Sequence, residues 1–143
     1  MLDSQLHFLL LRCYNNTSRL VSQRTQKVGL LSGQPKILEC LLDQDGRTPK
    51  ELGLMCALDK STITSLLAKM ERQELVRRVT QDSDRRSVRI YLTDLGREKA
   101  YQVIEIFHDV DEMALQELSQ EEREALIQSL QSVLKSLEGI THA

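Results

Sequence analysis

Apolar positions at the start of the chain recur at spacings of three and four, through Leu6, Leu9, Leu10, Cys13, Leu20 and Val21, which predicts an amphipathic helix. It should end within VGLLSGQ, where Gly29 and Gly33 are the breakers. Ser32 is placed to cap a second helix, which carries Ile37, Leu38, Leu41 and Leu42 and stops before Asp45 and Gly46. TPKELGLMCAL then gives a strong start signal, with Thr48 as N-cap, Pro49 in the first helical position and Glu51 closing a capping box. Asp59 offers another cap a few residues later, so two helices abut across a tight turn, as in a helix-turn-helix.

From Lys60 to about Gln73 the pattern divides cleanly. Ile63, Leu66, Leu67 and Met70 share one helix face, while Ser61, Ser65, Ala68 and Arg72 centre the other. Beyond it the period changes. LVRRVT reads as a strand, QDSDRR as a polar turn and SVRIYL as a returning strand, with Val88, Ile90 and Leu92 alternating against Arg89 and Tyr91. Thr93 should cap a helix running through Ala100, Val103, Ile104, Phe107, Val110 and Ala114. Ser119 with Glu122 forms a second capping box before Leu126, Ile127, Leu130, Val133, Leu134 and Leu137.

Composition narrows the class. A chain of 143 residues suits a single domain, and with 3% aromatic residues and no Trp its core must be aliphatic, which leans helical. No apolar run is long enough to span a membrane, and MLDSQLHFLLLRCYNN lacks a basic leader and a small-residue cleavage site, so a cytoplasmic protein with no membrane partner is expected. The net charge of −2 would by itself argue against a polyanion partner. Its distribution reverses that inference. Residues 60–99 hold ten basic and six acidic side chains, against two and nine in residues 100–143. At physiological salt a distant charge is screened beyond about 8 Å, so the basic segment can act locally.

That segment has the chemistry of a duplex reader. Ser61, Thr62, Thr64 and Ser65 give a narrow hydroxylated helix face able to enter a major groove and bond to base edges, with Lys60, Lys69 and Arg72 near phosphates. An ordinary solvent-facing helix more often carries Glu and Lys. The following hairpin makes the unit a winged helix, whose tip, Asp82 to Arg86, can reach the minor groove. Arg86 would enter that groove and Arg85 would meet the backbone. Asp84 would orient Arg86, and Arg78 on the first strand completes the DNA-binding set.

Other chemistries find little footing. Cys13, Cys40 and Cys56 are odd in number, with no close-spaced pair, so no disulfide framework is expected. Each falls in an apolar setting that suits a buried inert thiol. Cys13 follows Arg12 and is the thiol best placed for redox chemistry. FHDVDE gathers His108, Asp109, Asp111 and Glu112, but within a helical pattern these form a solvated face, and no metal or cofactor is expected. No Gly-rich phosphate loop, carboxylate pair or nucleophile constellation points to an enzyme.

The run LDKSTITSLLAKMERQELVRRVTQDSDRRSVRIYLTDLG resembles the DNA-binding lobe of the MarR family of bacterial transcription regulators. The resemblance rests on Asp59-Lys60-Ser61-Thr62 opening the recognition helix, Asp84-Arg85-Arg86 in the wing, and Leu92-Thr93 with Gly96 at the next helix. It implies a mainly α fold: a winged helix-turn-helix lobe over residues 34–92, and long terminal helices, residues 1–31 and 93–143, forming a dimerisation lobe. It further implies a homodimer on a pseudo-palindromic operator of double-stranded DNA, acting as a repressor and released by a small aromatic or phenolic effector. Leu6, Leu9 and Leu10 with Leu126, Leu130, Leu134 and Leu137 supply apolar surface for the dimer interface. Two departures stand out. Glu74 occupies the place where most members have Gly, so either the recognition helix runs on or Glu74 is strained. His7 stands where hydroperoxide-sensing members carry a reactive cysteine, and the scattered His7, His108 and His142 do not match the cluster of zinc-sensing members. A redox-responsive regulator acting through Cys13, and a winged-helix module that contacts protein instead of DNA, are the alternatives.

Overall fold

The computed structural model describes residues 1–80 and 88–141. After a short 3-10 turn the order is α1 (Leu6–Lys27), α2 (Gln34–Asp43), α3 (Pro49–Met55), α4 (Lys60–Arg72), β1 (Val76–Thr80), β2 (Val88–Leu92), α5 (Asp94–Ala114) and α6 (Gln120–Thr141). The chain divides into two compact units, residues 1–110 and 111–143.

In the first unit the core forms where α2, α3 and α4 turn their apolar faces toward the hairpin and α5. Ile37, Leu38 and Leu41 of α2 are fully buried beside Leu52, Leu67, Met70 and Val103. The hairpin is antiparallel, in the register Val76 with Leu92 and Thr80 with Val88. Ile90 and Leu92 point into the core, as their alternation requires, while Val88 is half-buried. Arg47 adds a single bridge to Ile90, donating no side chain to it: the Ile90 N–H reaches the Arg47 carbonyl at 2.9 Å, and the Gly46 N–H reaches the Ile90 carbonyl at 3.0 Å.

Three caps form as their residues dictate. Thr48 Oγ1 accepts the Glu51 N–H at 3.2 Å while Glu51 Oε2 accepts the Thr48 N–H at 3.3 Å. Asp59 Oδ1 accepts the Thr62 N–H at 2.7 Å, and Thr93 Oγ1 accepts the Gly96 N–H at 2.9 Å. The start of α2 differs from the sequence expectation. Gly33, not Ser32, is its N-cap, in a left-handed conformation with φ 88° and no side-chain cap. The polar work passes to Gln34, which is fully buried. Its Oε1 accepts the Leu31 N–H at 3.0 Å and its Nε2 donates to Gln73 Oε1 at 2.7 Å, tying the start of α2 to the end of α4.

The alternative left open at Glu74 resolves toward strain. The recognition helix stops at Arg72, and Glu74 takes the left-handed conformation at φ 60°. The Glu74 N–H bonds the Glu71 carbonyl at 3.0 Å and the Leu75 N–H bonds the Met70 carbonyl at 2.9 Å, the paired bonds of a Schellman stop. A side chain is therefore held where glycine would be relaxed. Glu74→Gly is expected to stabilise the protein by about 1 kcal/mol. In a thermal melt followed by circular dichroism the midpoint should rise by roughly 3 °C. An unchanged or lower midpoint would mean that the Glu74 side chain gives back what its backbone loses.

The second unit holds the end of α5 and all of α6. Ser119 and Glu122 form the expected capping box, with bonds of 3.0 and 3.2 Å. Arg123 Nη1 binds both carboxylate oxygens of Glu112, at 3.0 and 3.2 Å. No residue of α6 among those described is buried. Its apolar stripe, including Leu126, Leu130, Leu134 and Leu137, is exposed. Among the described residues no helix is long and apolar enough to cross a membrane.

Candidate nucleic-acid interface

The helix-turn-helix is built by α3 and α4, and its turn uses the same device as the end of α4. Ala57 is left-handed at φ 54°, and the Leu58 N–H closes onto the Gly53 carbonyl at 2.9 Å. The tight turn expected between the two helices is present; only its left-handed residue escaped sequence reasoning, because alanine carries no glycine-like signal.

On α4 the apolar face is inward, with Ile63, Leu67 and Met70 buried and Leu66 half-buried. Lys60, Ser61, Thr64, Ser65, Lys69 and Arg72 are all exposed, so the helix does gather these expected contacts on its outer side. Thr62 is half-buried and offers less of its side chain. Two hydroxyl protons are already used. Ser61 Oγ donates to Asp59 Oδ1 at 2.8 Å, and Thr64 Oγ1 donates to the Lys60 carbonyl at 2.8 Å. Both hydroxyl oxygens are thus left chiefly as acceptors. The Thr62 N–H, then the Ser61 hydroxyl, hold the Asp59 carboxyl below its ordinary range. The cap thus stays ionised at the start of α4.

Arg78 projects from β1 and its Nε lies 3.5 Å from Glu71 Oε2. Together with Lys60 and Thr64 of α4 it lines a cleft of about 640 Å³, whose floor includes Pro49, Leu54, Leu58 and Ile63. The wing-tip residues Asp84, Arg85 and Arg86 lie outside the described residues, as does His142.

Several residues that set the site were not singled out in advance. Asp45 Oδ1 accepts the Leu92 N–H at 2.9 Å and its Oδ2 meets Arg97 at 3.2 Å, fixing the base of the hairpin to the start of α5. Arg89, which was placed on the outer face of its strand, donates from Nη1 to the Gly46 carbonyl at 2.8 Å. Arg47 donates from Nε to the Cys40 carbonyl at 3.1 Å and pairs with Asp43 at 3.0 Å. Only pairs with a short sequence separation, such as Arg47 and Asp43, could have been found from spacing.

The expectation of three buried, unrelated thiols is corrected. Cys13 is exposed and Cys40 half-buried, and only Cys56 is buried. The spacing gave no pair, yet folding brings the sulfurs of Cys40 and Cys56 to 3.7 Å. Their residues come from two helices whose packing the spacing did not reveal. Among the described residues no group of three or more His, Cys, Asp or Glu side chains could hold a metal ion.

A helix-turn-helix with a hairpin wing and an exposed hydroxylated, cationic helix face defines a winged-helix DNA-binding regulator. A sequence model described as MarR family matches residues 31–88, from three residues before α2 to the first residue of β2. The HTH-type transcriptional regulator TtmR of Methylorubrum extorquens (strain PA1) is 33% identical over 136 residues, covering 95% of this chain and 69% of that protein. The crystal structure of a MarR family transcriptional regulator from Silicibacter pomeroyi superposes with a TM-score of 0.86 at 24% identity, covering 95% of this chain and 92% of the other. BpsR of Bordetella bronchiseptica, whose DNA binding is regulated by 6-hydroxynicotinic acid, superposes with a TM-score of 0.81 at 22% identity, over 91% of this chain and 98% of that one. The chain belongs to the MarR family of transcription regulators. That family and these relatives are regulators, not enzymes.

Proposed function

We propose that the protein is a homodimeric repressor that occupies a pseudo-palindromic operator and leaves it when a small aromatic acid binds. The outer face of α4 carries the reading: short hydroxylated side chains at its centre, with Lys60, Lys69 and Arg72 around them. Short acceptors allow a helix to sit deep in a major groove, and the flanking cations neutralise phosphates. In this reading Arg86 of the wing enters the minor groove, Arg85 meets the backbone and Asp84 orients Arg86. Residues 34–92 form the reading lobe, and residues 1–31 and 93–143 the pairing lobe.

Pairing follows from apolar surface that one chain leaves uncovered. Leu6, Leu9 and Leu10 on α1 and Leu126, Leu130, Leu134 and Leu137 on α6 are all exposed. A twofold partner covers such surface and sets two recognition helices roughly 10 bp apart along a duplex. Repression then needs nothing more than tight, releasable occupancy. The cleft beside α4 suits the effector. Its floor is apolar and its rim carries Lys50, Lys60 and Arg78, which would receive a carboxylate while an aromatic ring lies on Leu54 and Leu58.

The test combines mass with salt. Light scattering should give twice the mass of one chain at micromolar concentration. Binding to duplex fragments selected from the host genome should weaken steeply with salt, with a log–log slope on the order of −5 or steeper. A single-chain mass would remove the dimer. A flat slope would transfer the winged helix to a protein partner.

A further inference from the structure

The Cys40 and Cys56 sulfurs are 3.7 Å apart although sixteen residues separate them in sequence. Their surroundings are unequal. Cys40, on α2, is half-buried and opens on a groove of about 480 Å³ that Met55, Tyr101 and Ile104 also line. Cys56 is the C-cap of α3 and is 3% exposed, behind Cys40 in the core. One sulfur is thus reachable from solvent and the second lies within one short movement of it. This is the arrangement of an attacking and a resolving thiol. The Cys56 thiol, hydrogen-bonded to the Cys40 sulfur, brings the Cys40 thiol down to about 7, while the same contact and burial push Cys56 up. Near neutral pH a substantial fraction of Cys40 is then the nucleophilic thiolate.

We propose that Cys40 and Cys56 form a redox-active pair which a hydroperoxide converts to an intramolecular disulfide, and that closing the pair weakens DNA binding. In the first step the Cys40 thiolate attacks the terminal peroxide oxygen. An S–O bond forms, the O–O bond breaks, sulfur gives up two electrons, and the alkoxide departs as an alcohol with a proton from water. Cys56 sulfur then attacks the Cys40 sulfenic acid. An S–S bond forms, the S–OH bond breaks, and hydroxide leaves as water with the Cys56 proton. A dithiol reverses the change by exchange.

The consequence for DNA binding rests on the regulator reading above and on where the pair sits. A disulfide needs sulfurs at about 2.05 Å with a set dihedral about the S–S bond, so the two sulfurs must close by roughly 1.7 Å, a change that the side chains share with the backbone of α2 and of the end of α3. Cys56 directly precedes Ala57, the left-handed residue that sets α4 against α3. The Cys40 carbonyl holds Arg47, whose own carbonyl holds the wing strand at Ile90. A close-packed core cannot absorb that approach without moving one of these attachments.

The experiment uses the full chain with Cys13→Ser, which removes the exposed third thiol. After tert-butyl hydroperoxide, mass spectrometry should show the loss of two hydrogens, and trypsin should release Ile37–Arg47 joined to Glu51–Lys60. Affinity for a bound genomic duplex should fall about tenfold and return with dithiothreitol. With Cys56→Ser added, the same treatment should leave a dimedone-reactive sulfenic acid on Cys40. Both thiols still free after excess peroxide would overturn the pair, and a linked protein that holds duplex as tightly as the reduced one would overturn its regulatory role. If the reduced protein binds no duplex, the regulator reading fails, and the joined peptides still decide the redox chemistry.

Discussion

A methyl group at Gly96 is expected to lower the thermal midpoint by about 10 °C. Gly96 lies buried in the first turn of α5, and a Cβ there would run into the Leu75 carbonyl and press on the Leu92 side chain at 3.3 Å. The first of these is backbone, already committed: the Leu75 carbonyl accepts the Thr93 N–H and hydroxyl, both at 3.1 Å. Neither strand nor helix can retreat without breaking that joint. Forcing a methyl into packed structure costs about 3 kcal/mol, and each kcal/mol shifts the midpoint of a domain this size by roughly 2–4 °C. Gly139→Ala supplies the control, since a Cβ at Gly139 meets nothing within 4 Å and improves helix propensity. Circular dichroism melts of the two variants decide the matter. A Gly96→Ala protein that melts with the parent would show that the α5 start yields freely.

The largest effect on binding should come from Ser65→Glu. Ser65 is exposed on the outer face of α4, one turn beyond Ser61. In the proposed reading it faces base edges between two phosphate backbones, where a carboxylate is repelled and can accept but not donate. A penalty of about 1.4 kcal/mol per recognition helix, felt twice in a dimer, gives roughly a 100-fold loss of affinity. Fluorescence anisotropy with a selected duplex measures it, and the melting curve should stay with the parent because the site is exposed. Undiminished affinity would take the outer face of α4 out of the DNA contact.

Local chemistry explains which parts of this fold could be read from sequence. Thr48 with Glu51, Asp59, Thr93, and Ser119 with Glu122 announce helix starts because each bond closes within three residues. The hairpin was legible because alternation over β2 has only one half-buried solution. What stayed hidden depends on residues distant in sequence. Gly33 displaced Ser32 as the cap because Gln34 is held by Gln73, across 39 positions. The left-handed stop at Ala57 is imposed by the turn it must make, against the preference of its side chain. In sequence Asp45 marks only the end of a helix; its role comes from β2 and Arg97, which the fold brings beside it. The two thiols that meet were invisible for the same reason. In the candidate interface, exposure separated Ser65 and Thr64 from the half-buried Thr62, a distinction that residue type alone does not make.

The joint at Thr93 has a mechanical consequence. One hydroxyl is shared between the Glu74 carbonyl at 2.6 Å and the Leu75 carbonyl, while the same residue begins α5. The tail of the recognition helix, the root of the wing and the head of α5 are therefore bolted together with no slack between them. In the proposed reading, a rotation of the first turns of α5 would carry the end of α4 and the root of the hairpin along with it.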